Sequence, residues 1–280
     1  MANSDDAQAA LARPKLSMEG RGRFEAVRCR IAGVAAVKAW SRHAFPAHAH
    51  DQYGIGILTR GAQKSRSGRG MIEAVAGDTI TCNPGEVHDG VPIGDSGRAW
   101  TMLYFETWRI AEAAADIDEG KGGSHEFVLP KLTDRRIAGH FRRLFAALTR
   151  GGAAEESLLI LLAELMHGGK PAGPPAAGVV GQARARIDED PAAPASLADL
   201  ARDSGLSRFQ LLRGFKRATG LTPHAYLVQR RLNLARRSIA DGMPLADAAV
   251  ASGFSDQSHM TRLFVRNYGI SPGAYAAATV

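Results

Sequence analysis

From Phe24 to Trp108 the apolar residues come in short runs, several alternating with polar positions, each cut by Gly or Pro: AVRCRIAGVAAVKAW, QYGIGILTRG, GMIEAVAGDTITCNPGEV and RAWTMLYFE. Alternation is the period of a strand with one buried face, and turn residues at near-regular spacing predict an antiparallel sandwich or barrel. The period changes after Thr133. Ile137, Phe141, Leu144, Phe145 and Leu148 recur along one helical stripe that Thr133 or Asp134 can cap, with Arg135, Arg136, Arg142 and Arg143 elsewhere on the helix. A second helix, Glu155 to Met166, is apolar nearly all round. It must be covered on more than one side, either within the chain or by a second copy in a homodimer. Gly168 to Gly181, GGKPAGPPAAGVVG, has no stripe and reads as a linker; Gln182 to Asp190 then predicts a helix stopped by Pro191. The division implied is a tail (1–20), a β-rich domain (21–110), a helical connector (111–168), a linker (169–181) and an all-α domain (182–280).

The last third repeats itself. Leu197 to Tyr226 reads LADLARDSGLSRFQLLRGFKRATGLTPHAY, and Leu245 to Tyr275 reads LADAAVASGFSDQSHMTRLFVRNYGISPGAY. From Leu197/Leu245 through Ser207/Ser255 the copies match at one offset; from Phe215/Phe264 through Tyr226/Tyr275 the offset is one residue longer, which places an extra residue in the second helix of the second copy. Each copy reads as a helix-turn-helix: an amphipathic stretch runs to a glycine, Gly205 in the first, that can take the left-handed turn, and a serine, Ser207 or Ser255, caps the next helix. That next helix turns Leu211 and Phe215 inward and leaves Arg208, Phe209, Leu212, Arg213 and Lys216 outside. In the second copy Met260 and Phe264 face inward, and Gln257, Ser258, Thr261 and Arg262 outward. Polar, planar and cationic groups on one helical face suit the edges of bases in a major groove. Between the copies, Pro223 to Ala240 predicts a helix with Pro in its first turn, about 27 Å long at 1.5 Å per residue. That length is close to the roughly 34 Å of one DNA turn, so two reading helices could enter successive major grooves.

Charge agrees with this division. The chain of 280 residues has a formal net charge of +7, and residues 181–280 hold 13 Lys and Arg against 8 Asp and Glu. The basic excess lies where DNA is expected. The 45% of hydrophobic residues are ample for packed cores and exclude a disordered or fibrous chain. Cys29 and Cys82 show neither metal-ligand nor redox spacing, so free buried thiols are expected. The start, MANSDDAQAA, has no basic and apolar leader, and no apolar run approaches the ~20 residues of a membrane span. A cytoplasmic protein without a membrane partner is the expectation.

Residues 181–280 resemble the DNA-binding domain of the AraC/XylS family of transcription regulators, whose second unit carries a GFSDQSHMTRLF-like run and ends in a GISPGAY-like run, as at Gly253 to Phe264 and Gly269 to Tyr275. The resemblance implies that the outward residues named above, Arg213 and Arg262 among them, lie at DNA-reading positions. The first reading helix departs in its apolar Phe209 and Leu212, which suit thymine methyls or a merely positioning unit. In the front domain His48-Ala49-His50, Gly77-Asp78 and Pro84 to His88 resemble the two halves of a cupin of the kind fused to such DNA-binding domains.

The fold expected is therefore α+β and multidomain: a cupin-like antiparallel β-barrel, a helical connector and a C-terminal double helix-turn-helix domain. His48, His50, Tyr53, Glu86, His88, Trp100 and Tyr104, with Glu106 beside them, are the candidate effector-binding residues. Three readings of the histidines stand: effector ligands, structural groups at the barrel mouth, or a facial metal site. The carboxylate that an enzymatic cupin places a few residues after the second His is missing, so effector binding is the reading adopted, with no catalytic residue, metal or cofactor. The function expected is sequence-specific regulation of transcription in response to a small-molecule effector. Its partners would be duplex operator or promoter DNA, the effector, a second copy in a homodimer and, for an activator, RNA polymerase. Two rivals stand beside it: a constitutive regulator whose front domain only dimerises, and a metal-dependent cupin enzyme fused to a DNA-binding domain.

Overall fold

The computed structural model describes residues 22–117, 125–152, 154–166 and 180–279. The tail (1–20) and nearly all of the expected linker (169–181) lie outside the described residues. Strands β1 (Arg23–Val27), β2 (Val34–Ser41), β4 (Tyr53–Arg60), β7 (Thr79–Cys82), β9 (Arg98–Phe105) and β10 (Lys131–Leu132) form a six-stranded sheet in the order β1-β2-β9-β4-β7-β10. A four-stranded sheet has the order β3-β8-β5-β6, from β3 (Phe45–His48), β5 (Ala62–Ser67), β6 (Gly70–Val75) and β8 (His88–Ile93). Every pairing between the strands is antiparallel. The barrel expected from the resemblance is thus two open sheets, with a cavity between them whose wall both sheets supply.

The pattern GIGIL within β4 explains how the six-stranded sheet serves two layers. Ile55 and Ile57 are buried in a core with Leu103, Phe105, Phe141, Leu144 and Leu161, where helices cover one face of the sheet. Gly54 and Gly56 point the other way, and a Cβ on either would collide with Cys82 or Met102, so their bareness makes room for those side chains. The covering helices are α1 (Thr107–Ile117), α2 (Arg135–Arg150) and α3 (Ala154–Met166). Asp134 caps α2, its carboxylate accepting from the Arg136 amide, and Ile137, Phe141, Leu144 and Leu148 are buried. Helix α1 was not legible in the sequence, because its buried side is only Ile110, Ala113 and Ala114. It also resolves the cover of α3: packed on α1 and α2, that helix buries Leu158, Leu161, Leu162 and Leu165 within the chain and leaves Ile160 as its exposed large apolar residue.

The all-α half comprises α4 (Gly181–Glu189), α5 (Leu197–Asp203), α6 (Arg208–Thr219), α7 (Pro223–Ala240), α8 (Leu245–Ala251), α9 (Gln257–Tyr268) and α10 (Pro272–Thr279). Each helix-turn-helix has its own core, one around Leu200, Leu211 and Phe215 and one around Ala249, Met260 and Phe264. Helix α7 joins them, giving Leu227 to the first and Leu232, Ala235 and Ile239 to the second. Gly205 takes its left-handed turn at φ 65°. Ser207 caps α6 in a reciprocal pair with Gln210, and Thr222 caps α7.

The second copy departs from the serine cap expected. Asp256 caps α9, accepting from the His259 amide, while Ser255 donates to the Asp256 carboxylate. Since α6 and α9 both have 12 residues, the extra residue sits in the turn before α9, not within the helix. A turn can take an added residue without rotating the reading face, whereas one inside the helix would turn it by about 100°. Among the described residues no helix is long and apolar enough to cross a membrane.

Candidate functional site

On α6 and α9, the second helices of the two units, most of the residues expected outside are exposed. Arg208, Phe209, Arg213 and Lys216 on α6 are exposed and Leu212 is half-buried; Gln257, Ser258 and Arg262 on α9 are exposed and Thr261 is half-buried. Phe209 is 64% exposed, with the Arg213 guanidinium 5.6 Å from its ring centroid. Glycines in the left-handed region close both helices, Gly220 at φ 79° and Gly269 at φ 76°.

The candidate effector site is a cavity of about 120 Å³ between the sheets. His48 and His88 face each other across the β3–β8 pair, ring centroids 4.5 Å apart, and His50 follows just past the end of β3, 5.1 Å from His88. His48, His88, Glu86, Trp100 and Tyr104 line this space, whereas His50 lies beside it and not in its wall. Tyr53 does not: its ring packs on Phe127 at the helical core, because it begins β4 on the face turned to the helices. Each histidine Nδ1 lies 2.8 to 3.0 Å from a backbone carbonyl, of Pro46, Gln52 and Glu86 respectively. A carbonyl only accepts, so Nδ1 carries the proton and Nε2 is left with its lone pair. Burial first, then the neighbouring His88, lowers the His48 pKa to about 3; burial and both other rings hold His50 well below its usual range, and burial lowers His88. All three rings are neutral near pH 7. For Glu86, hydrogen bonds led by Arg69 outweigh burial and lower its pKa.

The sequence reading missed four groups here. Arg98 is 1% exposed and donates to Gln63 Oε1, the His43 carbonyl and the Gly90 carbonyl. Among the described residues no carboxylate pairs with it, and burial lowers its pKa to about 10. Cys82, a free buried thiol as the sequence predicts, has its Sγ 3.6 Å from His50 Nε2, a neighbour that its spacing does not signal. Asn267 and Tyr268, at the end of α9, line the same cavity as His48 and Trp100. None of these was signalled by spacing, since each comes from a distant strand or helix.

The all-α half is docked on the β-rich half around this cavity. Arg236 of α7, its side chain 3% exposed, pairs with Asp51 at 2.9 Å and Glu106 at 2.7 Å; Arg237 pairs with the same Asp51 at 3.1 Å. Asp51 is the residue after His50, and Gln52 donates to Glu106. Phe24 and Ala26 of β1 pack into the core of the second helix-turn-helix, and Gly269 lies so close to the Phe24 ring that a Cβ would sit 2.5 Å from it.

A two-sheet domain enclosing a cavity, closed by paired helix-turn-helix units with polar and cationic outer faces, is the architecture of a ligand-responsive DNA-binding regulator. The AraC-like ligand binding domain family matches residues 34–170, and a helix-turn-helix domain family matches residues 200–278. The HTH-type transcriptional regulator YbfI of Bacillus subtilis is 30% identical over 225 residues, 77% of this chain and 81% of that protein. The transcriptional activator NphR of a Rhodococcus species is 40% identical over 81 residues, 29% of this chain and 24% of the relative. Among solved structures, apo ToxT of Vibrio cholerae superposes with a TM-score of 0.56 at 12% identity, over 90% of this chain and all of that one. ToxT with an unsaturated fatty acid bound gives 0.55 at 12% identity, over 92% and 96%. At that identity the likeness is one of fold. The chain belongs to the AraC family of transcriptional regulators.

Proposed function

We propose that the effector binds in the cavity between the sheets and that helix α9 carries its presence to DNA. The supporting observation is the position of that helix: Asn267 and Tyr268 at one end line the cavity, and Gln257, Ser258, Thr261 and Arg262, the residues proposed to read DNA, lie toward the other. Twelve residues in a helix span about 18 Å, so a displacement at the cavity moves the reading face as one rigid element. An effector shifts the DNA-competent population only by its difference in affinity between the docked and released arrangements. The cavity is below the roughly 300 Å³ of most drug-sized sites, which favours a small metabolite. The unneutralised Arg98 favours an acidic one, while Trp100, Phe45 and Met102 supply apolar wall.

On this reading the partners are operator DNA, the effector and, for an activator, RNA polymerase; the protein works in the cytoplasm and needs no catalysis. Intrachain packing already covers most of α3, so a homodimer is not argued from that helix. The test is a screen of small acids by thermal shift on the full chain, followed by operator affinity with and without each stabilising compound. A ligand at 100 times its Kd adds about 2.7 kcal/mol, well within reach of such a screen. His48→Ala and His88→Ala should reduce the effector response and leave effector-free DNA affinity nearly intact. A compound that occupies the cavity without altering operator affinity overturns the coupling.

A further inference from the structure

We propose that His50, Cys82 and His88 hold a thiophilic d10 metal ion, for which zinc is the probe, with an open coordination position facing the cavity between the sheets. The donor atoms of these three residues all lie within 4.8 Å of one another. A tetrahedral zinc with bonds of about 2.3 Å to sulfur and 2.0–2.1 Å to nitrogen needs ligand atoms roughly 3.3 to 3.7 Å apart. The Cys82 to His50 separation of 3.6 Å already meets that, and closing the remainder takes about an ångström of side-chain movement.

The surroundings are arranged as a metal site requires. His50 and His88 each tie Nδ1–H to a backbone carbonyl, at 3.0 and 2.9 Å, which fixes the rings and leaves Nε2 as the ligand atom. That outer tie is the one metal-bound imidazoles make. Gly54 beneath the Cys82 sulfur leaves the space a side chain there would fill. Glu86, the carboxylate beside the group, is held by Arg69 and the Asn83 amide, so the donors that lie within 4.8 Å of one another are one sulfur and two nitrogens. Sulfur with imidazole selects zinc or copper(I) over magnesium or calcium. Burial, then the charge of Glu86, pushes the Cys82 thiol up to about 12, so without a cation it stays protonated and can donate weakly to His50. On binding, the S–H bond breaks, its proton passes to solvent, and the thiolate pair forms the metal–sulfur bond. Two of the three ligands, Cys82 and His88, line the cavity and His50 lies behind them, so the fourth position is proposed on the cavity side, where a small molecule would meet the metal.

This site goes beyond the sensing role above and neither stands nor falls with it. The test titrates the full chain, freed of metal by a chelator, with cobalt(II), whose bond to a thiolate gives a charge-transfer band in the near ultraviolet. The expected result is one equivalent of cobalt with that band, displaced by zinc. Cys82→Ser should lose the band and Cys29→Ser should keep it, while His88→Ala should weaken uptake at least about 100-fold. A folded parent that shows no band and retains no zinc through gel filtration overturns the proposal without recourse to any variant. A band that survives Cys82→Ser overturns it equally.

Discussion

Arg262 sits on the exposed face of α9 beside Thr261 and Ser258. A guanidinium there can fork to a guanine or grip a phosphate, and the two differ in measurement. With Gln257 and Ser258 on the same face we expect a base contact: Arg262→Ala should cost about 1–3 kcal/mol of operator binding and relax preference at one position. Equal weakening on every sequence, with the salt slope reduced by about one, would assign it to phosphate instead. His48 makes a second residue-scale prediction. Its folded pKa, about 3, lies below the unperturbed 6.5, so the unfolded chain binds the proton first on acidification. Stability is then fully present above pH 6.5 and is lost as pH falls from there toward 3. Between pH 6.5 and about 5, above the ordinary carboxylate range, the thermal midpoint should drop, and by less in His48→Asn. A parent midpoint flat across that window would mean the rings are not held neutral.

The caps of α6 and α9 show what an element needs from its first residue. Ser207 and Asp256 each satisfy an amide of the first turn that would otherwise be unpaired, and each sits one residue before its helix. Ser207→Ala should destabilise the protein by about 1 kcal/mol in a urea titration. Ser255→Ala should cost clearly less than Asp256→Ala, because the aspartate, not the serine, caps α9; the reverse order would restore the serine cap. The repeat fixes the existence of both helices, but the local sequence Ser255-Asp256 offers two capping residues, and only the turn geometry selects between them.

The whole molecule is held in its docked form by a few groups. Asp51 and Glu106 meet the buried Arg236, and Arg237 adds a second contact to Asp51. Replacing both acids, Asp51→Asn with Glu106→Gln, leaves the guanidinium buried without its counter-charges, a costly state that undocking relieves by returning it to water. Calorimetry should show the parent unfolding in one transition and the double variant in two, as each half melts by itself. One unchanged transition in the variant would show that apolar contacts, such as Phe24 against Gly269, suffice to hold the halves together.

Periodicity and repetition are local properties, and they determined much of this protein. The strand texture before Trp108, the stripe of α2, the paired helix-turn-helix units, the exact span of α7 and the outward residues of both reading helices all follow from spacing along one element. The histidines were legible as a group because His48 and His50 are two residues apart and His88 follows a turn motif. Tertiary structure decided what spacing cannot encode. It separated the strands into two open sheets, sent Tyr53 to the helical side and covered α3 with the unforeseen α1. It also brought Cys82, Arg98, Asn267 and Tyr268 to the histidines, and set Arg236 against Asp51 across 185 residues of chain. The physical reason is that a side chain's direction is fixed by its own strand or helix, whereas its neighbours across a cavity are fixed by how sheets and domains pack, which no short window of sequence contains.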